Sequence, residues 1–350
     1  MRSGNISYRL FFPCLIALLC SSCEKIFVEP DPANSPVQNY EYLWTDIHDR
    51  YSFLEYKNLN WDSLHKVFSE RIQDGMSEEE LFSVLADMMN TLRDGHANLV
   101  SPFNTSVYFP IFTGSPANFD SRLVLDHYLL RDPENYFITG ALNNTILDTL
   151  GVKVGYIRYA SFSSPVKPLE IDYVINRFVE ANVDGVIFDV RSNGGGSLSN
   201  VFTLADRFAD QARHCYTSEI KTGPGPEDFG DEEKIYVGPE GGQQFTGRTA
   251  VLINRGSYSA TSFLALAMKP MPYVRLIGDS TGGGLGAPSN GELPNGWNYR
   301  FSVTRTLAPG GENWEDGIPP DILMDLDPDA ADQGFDSMIE RAIEYVVTGQ

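Results

Sequence analysis

The chain has 350 residues, of which 42% are hydrophobic and 12% aromatic, enough for a sizeable core in one large or two moderate folded units. Charged residues are 21%, too few for a disordered or coiled-coil chain, and Gly and Pro follow no fixed period. The formal net charge of −21 repels phosphate backbones and anionic headgroups, which argues against nucleic-acid binding and against polybasic attachment to a membrane.

Residues 1–23 carry Arg2 and Arg9, then an apolar run from Leu10 to Leu19 too short to span a bilayer comfortably, then Ser21, Ser22 and Cys23. That order is the layout of an export signal peptide over residues 1–22 ending in a lipobox, with Cys20 at the position where Leu is usual. Cys23 is then the lipidated mature N-terminus; an ordinary cleaved signal and a retained anchor are the alternatives. Residues 23–36 follow as lipidated Cys and Pro-containing tether. The expected location is the bacterial cell envelope, lipid-anchored and facing the periplasm. Cleavage before Cys23 leaves Cys215 as the one unmodified cysteine, so no internal disulfide framework is expected. No CxxC pair lies in the mature chain and the His residues are scattered, so no metal site is expected.

From Val37 to about Arg93 the pattern is helical. Tyr40, Leu43, Trp44, Ile47, Tyr51 and Leu54 recur at helical steps along one stripe. A second helix is predicted after Asn60 or Asp62, and a third from Ser77, where Glu80 completes a capping box. These make a small helical unit over residues 37–95, whose aromatic stripe reads as core. Residues 97–150 are strand-prone but cut by Pro102, Pro110, Pro116 and Pro133, and no elements are assigned there. Strands then alternate with helices: strands over 152–159, 185–190, 250–254 and 274–278, helices over 169–182, 199–212, 259–268 and 334–347. The alternation predicts an α/β unit over residues 96–350 with a largely parallel sheet. Residues 218–242, rich in Gly, Pro and acids, read as an exposed excursion or a ribbon over the site.

In such a sheet, chemistry collects where strands end and helices begin. At Asn254–Thr261 a buried strand meets an apolar helix. Ser259 there is either an N-cap or a nucleophile facing the positive end of the helix. At Asp189–Gly196 three glycines follow a buried strand, an arrangement that serves an oxyanion hole or a plain tight turn. Asp189 and Arg191 read as structural partners. At Leu92–Ala97, His96 sits past a helix end, freed by Gly95, and is either a general base or a structural His. The Gly282–Gly284 run follows the 274–278 strand and reads as cleft lining or as a turn.

Taken together, L-x-D-G-H at 92–96, D-V-R-x-N-G-G-G at 189–196, Y-S-A at 258–260, I-G-D-x-T-G-G-G at 277–284 and G-I-P-P-D-I at 317–322 resemble the C-terminal-processing/tricorn family of serine peptidases. The resemblance implies an α/β crotonase/ClpP-like ββα superhelix core with a small N-terminal helical domain. The branch that pairs Ser with a later Lys does not fit, because its Lys position falls on Gly284 and no Lys follows Lys269. The tricorn-like branch implies Ser259 as nucleophile, His96 as base and Glu315 as acid, with Asp316 the neighbouring alternative. It implies Gly195 and Ala260 as oxyanion donors, with Gly194 or Gly196 replacing Gly195 in a shifted register, and Gly194, Gly196, Gly282, Gly283 and Gly284 along the substrate. Gly95 stands where a hydroxyl-bearing residue is often found. No PDZ-like segment is recognisable.

The function implied is a serine endopeptidase acting on peptides or unfolded protein through an acyl-enzyme, with no cofactor. Two other functions use the same frame: an apolar-ligand carrier like the repeat of interphotoreceptor retinoid-binding protein, and an esterase with the same triad.

Overall fold

The apolar runs read above become the centre of a mixed sheet of seven strands in the computed structural model, which describes residues 34–108, 118–149 and 151–350. The export signal, Cys23 and the tether up to residue 33 lie outside the described residues. The sheet order from one edge is Ile322–Leu323, Val274–Gly278, Arg248–Ile253, Gly185–Asp189, Val152–Tyr159, Leu142–Thr149, Phe137–Thr139. The first five are mutually parallel and the last two antiparallel. Parallel strands covered on both faces need apolar residues at consecutive positions, and Val186, Ile187, Phe188, Ala250, Val251, Leu252 and Ile253 are all fully buried. The α/β expectation therefore holds.

Helix Pro168–Glu180 covers one face through Ile171, Val174, Ile175 and Phe178. Each such buried side chain contributes roughly 1.5–3 kcal/mol. Gly155 is required beneath it, since a Cβ there would stand 2.6 Å from the Phe178 ring. Helix Ser337–Thr348 packs on the other face through Ile339, Ala342 and Val346. Helix Ala260–Met268 is buried all round. The predicted helix at 199–212 is shorter, Ser199–Ala205. Beyond it Asp206 turns to accept from the Gly238 amide (3.3 Å) and Arg207 pairs with Asp172 (2.8 Å).

At the N-terminal end, helices Pro36–Arg50, Trp61–Ser69 and Glu78–Asn90 are capped by Ser35, Asn60 and the Ser77/Glu80 capping box. Their core is completed by Leu99 and by Leu293, Trp297, Tyr299 and Phe301, which arrive from far along the chain. The Tyr299 hydroxyl donates to Asp46 (2.6 Å), tying the first helix to a four-stranded antiparallel sheet ordered Pro288–Glu292, Asn298–Ser302, Asn98–Val100, Thr105–Val107. Residues 97–150, unassigned from sequence, thus supply two short hairpins whose partners are set by tertiary contacts. Strands Arg213–Ile220 and Glu233–Val237 form a second antiparallel sheet with Thr304–Leu307, so the Gly- and acid-rich region is a ribbon.

Candidate active site

The loops leaving strands Gly185–Asp189 and Arg248–Ile253 are stitched together. Asn254 Oδ1 accepts from the Ser192 amide (2.7 Å) and the Gly256 amide (3.1 Å), and the Ser257 hydroxyl donates to the Val190 carbonyl (2.9 Å). The Asn193 carbonyl accepts from the Tyr258 amide (3.0 Å) and the Thr261 hydroxyl (2.8 Å). This forces a tight turn before helix Ala260–Met268, and Ser259 sits on it at φ +56° and ψ −121°. A non-glycine residue there costs about 1–3 kcal/mol and persists only where its surroundings impose it. The Ser259 side chain makes no helix cap. Its Oγ lies 3.0 Å from His96 Nε2 instead, joining residues 163 positions apart in the chain.

His96 follows helix Glu78–Asn90 through a turn with Arg93 at φ +49°. Its backbone is pinned by Asp94 Oδ1, which accepts from the His96 amide (2.8 Å); Asp94 Oδ2 accepts from the Ser302 hydroxyl (2.8 Å). The ring is buried, and burial lowers its pKa. The Asp94 charge opposes that shift, while Arg300 and Lys57 add to it. The ring is therefore neutral at neutral pH. Nε2 is the acceptor toward Ser259 once the proton is assigned to Nδ1, which is buried and makes no hydrogen bond to a described residue, while the Gly286 backbone beside the ring favours its charged form. A base with a lowered pKa stays competent further into acid: kcat/KM is expected to lose activity on the acid side only below about 6.5, the ordinary imidazole value. A pH–rate profile with its acid limb above that value contradicts this arrangement.

Glu315 is buried behind this pair, and Asp316 beside it is exposed. The Glu315 carboxylate does not bond the imidazole. Its Oε2 accepts from the amides of Leu285 (2.7 Å) and Gly286 (3.0 Å), so it fixes the segment that carries Gly286 beside the imidazole. Burial pushes its pKa well up and the Asp94 charge adds to this, against Lys57 and the two amides. Two carboxyl groups, Asp94 and Glu315, therefore stand behind one imidazole. Asp94 was missed from sequence, although its place two residues before His96 was a signal. Glu315→Gln is expected to lower kcat/KM about tenfold or more. That is less than the ~10⁴-fold typical of a triad acid bonded to the ring. Asp316→Asn should change it by less than about twofold, and steady-state kinetics on the two variants would expose the reverse order.

Of the glycine-rich segments, Gly194–Gly196 lines a cleft of about 530 Å³ with His96 and Ser259. Gly195 packs so closely on the nucleophile turn that a Cβ would lie 2.8 Å from Ser259 Cβ. Its amide is not a free oxyanion donor as expected, because it already donates to Asn193 Oδ1 (3.1 Å). The Ala260 amide, at the first position of its helix, has no intrahelical acceptor and points from the positive end of the dipole. The substrate-binding expectation for Gly282, Gly283 and Gly284 is corrected. All three are buried between the Ser259 turn and the Glu315 segment. Their amides donate to Ser257 O (2.8 Å), Thr281 Oγ1 (3.3 Å) and Glu315 O (3.0 Å), so none is left for substrate. They are glycines because of packing: a Cβ on Gly283 would lie 1.8 Å from the Glu315 carbonyl.

Comparison with known proteins matches two segments of the chain. Residues 153–324 match the model of peptidase family S41 and residues 32–90 that of the tricorn protease C1 domain; His96 lies between the two matched segments. The carboxy-terminal processing protease CtpA of Bacillus subtilis is 29% identical over 180 residues, 51% of this chain and 36% of that protein. A carboxyl-terminal-processing protease of Picosynechococcus is 29% identical over 192 residues, 53% of this chain and 43% of that one. The chain therefore spans well under half the length of these curated relatives. A candidate peptidase from Parabacteroides merdae, known from its crystal structure, is 36% identical with a TM-score of 0.83, covering 91% of this chain and 98% of that one. Mature CPAF in complex with lactacystin shares the fold at 12% identity and a TM-score of 0.66. With a matching family model over its core and a relative aligned along nearly its whole length, the chain belongs to peptidase family S41.

Proposed function

We propose that this protein is a serine endopeptidase that hydrolyses peptide bonds of peptides or unfolded proteins at the cell envelope. The observation that carries this reading is the 3.0 Å contact between Ser259 Oγ and His96 Nε2 at a strained turn. His96 takes the Ser259 proton as Oγ attacks the scissile carbonyl carbon. The Ala260 amide receives the developing oxyanion, and the Gly195 amide joins it by sharing its bond to Asn193. As the C–N bond breaks, the imidazolium returns its proton to the departing amine. Water, deprotonated by His96, then attacks the acyl-enzyme and releases Ser259. The charge on Asp94 favours the imidazolium, and Glu315 fixes the segment that carries Gly286 beside the ring. A carrier role would leave Ser259 and His96 with no reason to meet.

The test is a fluorophosphonate probe applied to the soluble body, residues 30–350, with the labelled residue found by mass spectrometry. Labelling at Ser259 that disappears in His96→Ala is expected, and no labelling of a folded sample would sink the nucleophile assignment. Cleavage of esters with no cleavage across a peptide library would convert the reading to an esterase.

We further propose that residues 1–22 are removed and that a lipid on Cys23 holds the catalytic unit 96–350 and its helical unit 37–95 at the membrane. The lipobox-like order of residues 1–23 supports this. No helix among the described residues is long and apolar enough to cross a membrane. Cys23→Ala should move the protein from the membrane to the soluble fraction on fractionation, and unchanged fractionation would point to a retained anchor.

A further inference from the structure

Among the described residues, Arg300 is the one cationic side chain besides His96 that lines the cleft in front of Ser259. It stands on strand Asn298–Ser302, and its cross-strand neighbours on both sides are asparagines, Asn98 and Asn290. Its Nε donates to Asn98 Oδ1 (2.7 Å), which fixes the plane of the guanidinium. Neither Nη makes a hydrogen bond or ion pair with any described residue. By contrast, Arg50, Arg71, Arg207 and Arg305 each meet a carboxylate within 2.9 Å, and Arg93, Arg177, Arg248, Arg255 and Arg275 donate through Nη to backbone or amide oxygens. A half-buried guanidinium, anchored at Nε and open at both Nη, presents a fork matched to the two oxygens of a carboxylate. Apolar walls from Val107, Leu198 and Phe263 lower the local dielectric and strengthen such a pair.

We propose that Arg300 is a specificity-determining residue that binds a carboxylate of the peptide substrate. The inference rests on the peptidase reading above and names the chemistry its substrates carry. The same chemistry is offered by an Asp or Glu side chain and by the C-terminal carboxylate of a chain.

Three peptide probes of one neutral ten-residue sequence separate these sources: the C-terminal free acid, the C-terminal amide, and amides with a single Glu moved along the sequence. The full chain is expected to cleave one carboxylate-bearing type over the neutral amide by about tenfold or more in kcat/KM, as for a hydrogen-bonded charged group. In Arg300→Gln that ratio should collapse toward one, and Arg300→Lys should keep only part of it. Arg300 also lowers the pKa of His96, but that effect is common to all three probes and cancels in the ratio. A wild-type ratio of one, or a ratio that survives in Arg300→Gln, overturns the proposal and leaves the peptidase reading standing. If no probe is cleaved, the same comparison is made as affinity for the Ser259→Ala chain. Carboxylate-selective binding lost with Arg300→Gln then supports this proposal while the peptidase reading falls, and equal binding of acid and amide overturns it.

Discussion

Ser259→Ala is expected to reduce turnover by about 10⁴–10⁶-fold while leaving folding nearly unchanged, because only Oγ and its bond to His96 are removed. Ser259→Gly should be just as inactive yet more stable than Ser259→Ala. The backbone at φ +56° and ψ −121° is a conformation that glycine adopts freely, while alanine keeps the full strain. A gain of about 1–3 kcal/mol for Gly over Ala, read from paired denaturant titrations, would show that the turn stores strain to aim the hydroxyl. Equal stability of the two would deny it, and retained turnover in either variant would remove Ser259 from the mechanism. The strain has a plain source: the nucleophile stands where the Ser259 amide must donate to Gly283 (3.0 Å) and the Ala260 amide must remain open.

Arg191→Met is expected to destabilise the fold by about 3–5 kcal/mol, the usual cost of stranding buried partners of a removed charge. The Arg191 guanidinium is fully buried between two carboxylates, bonding Asp189 (2.6 Å) and Asp336 (2.9 Å). Asp189 also accepts from the Tyr156 hydroxyl (2.7 Å), and Asp336 caps helix Ser337–Thr348. The pair of arginines, Arg191 foremost and then Arg158, holds Asp189 below the usual carboxylate pKa against burial. Stability from this carboxylate is present above the unfolded pKa of about 4 and is lost as pH falls through its lowered folded value. In Arg191→Met, burial is left without that counter-ion and raises the folded pKa of the stranded carboxylates, so the destabilisation should be largest at neutral pH and shrink as pH falls and they take up protons. A variant with unchanged denaturant midpoint and acid transition would show that the cluster contributes nothing.

The Asp189–Arg191 segment illustrates how much of this was legible in the sequence. Asp189 and Arg191 read as structural partners, because a charged pair inside an apolar run has to be satisfied internally, but nothing nearby pointed to Asp336. The strands expected over 152–159, 185–190 and 274–278 and the helix expected over 259–268 were readable, to within a residue, because their apolar patterns are local and long. Asn60, Ser77 and Glu80 were readable as caps for the same reason. The short strands within 97–150 were not, since Asn98–Val100 acquires its partner Asn298–Ser302 only on folding.

The candidate site divides in the same way. Ser259, His96 and Glu315 were named because their motifs resemble those of a known peptidase family, but from local pattern alone Ser259 read first as a helix cap. Gly282–Gly284 carried the same glycine signature as Gly194–Gly196, yet one run is buried packing and the other borders the cleft. A glycine pattern reports close approach of the backbone without saying to what. By itself the sequence determined the α/β alternation, the capped starts of the second and third helices and the candidate residues, all of which depend on neighbours within a few turns of chain, whereas the ends of helices such as Ser199–Ala205 did not follow from it. Only the tertiary structure decided that Ser259 bonds His96 rather than its own helix, that Glu315 acts through the Gly286 segment, and that Asp94 and Arg300 flank the imidazole. Apart from Asp94, two residues from His96, those contacts join residues far apart along the chain, and their distances follow from the packing of whole elements, which no local pattern encodes.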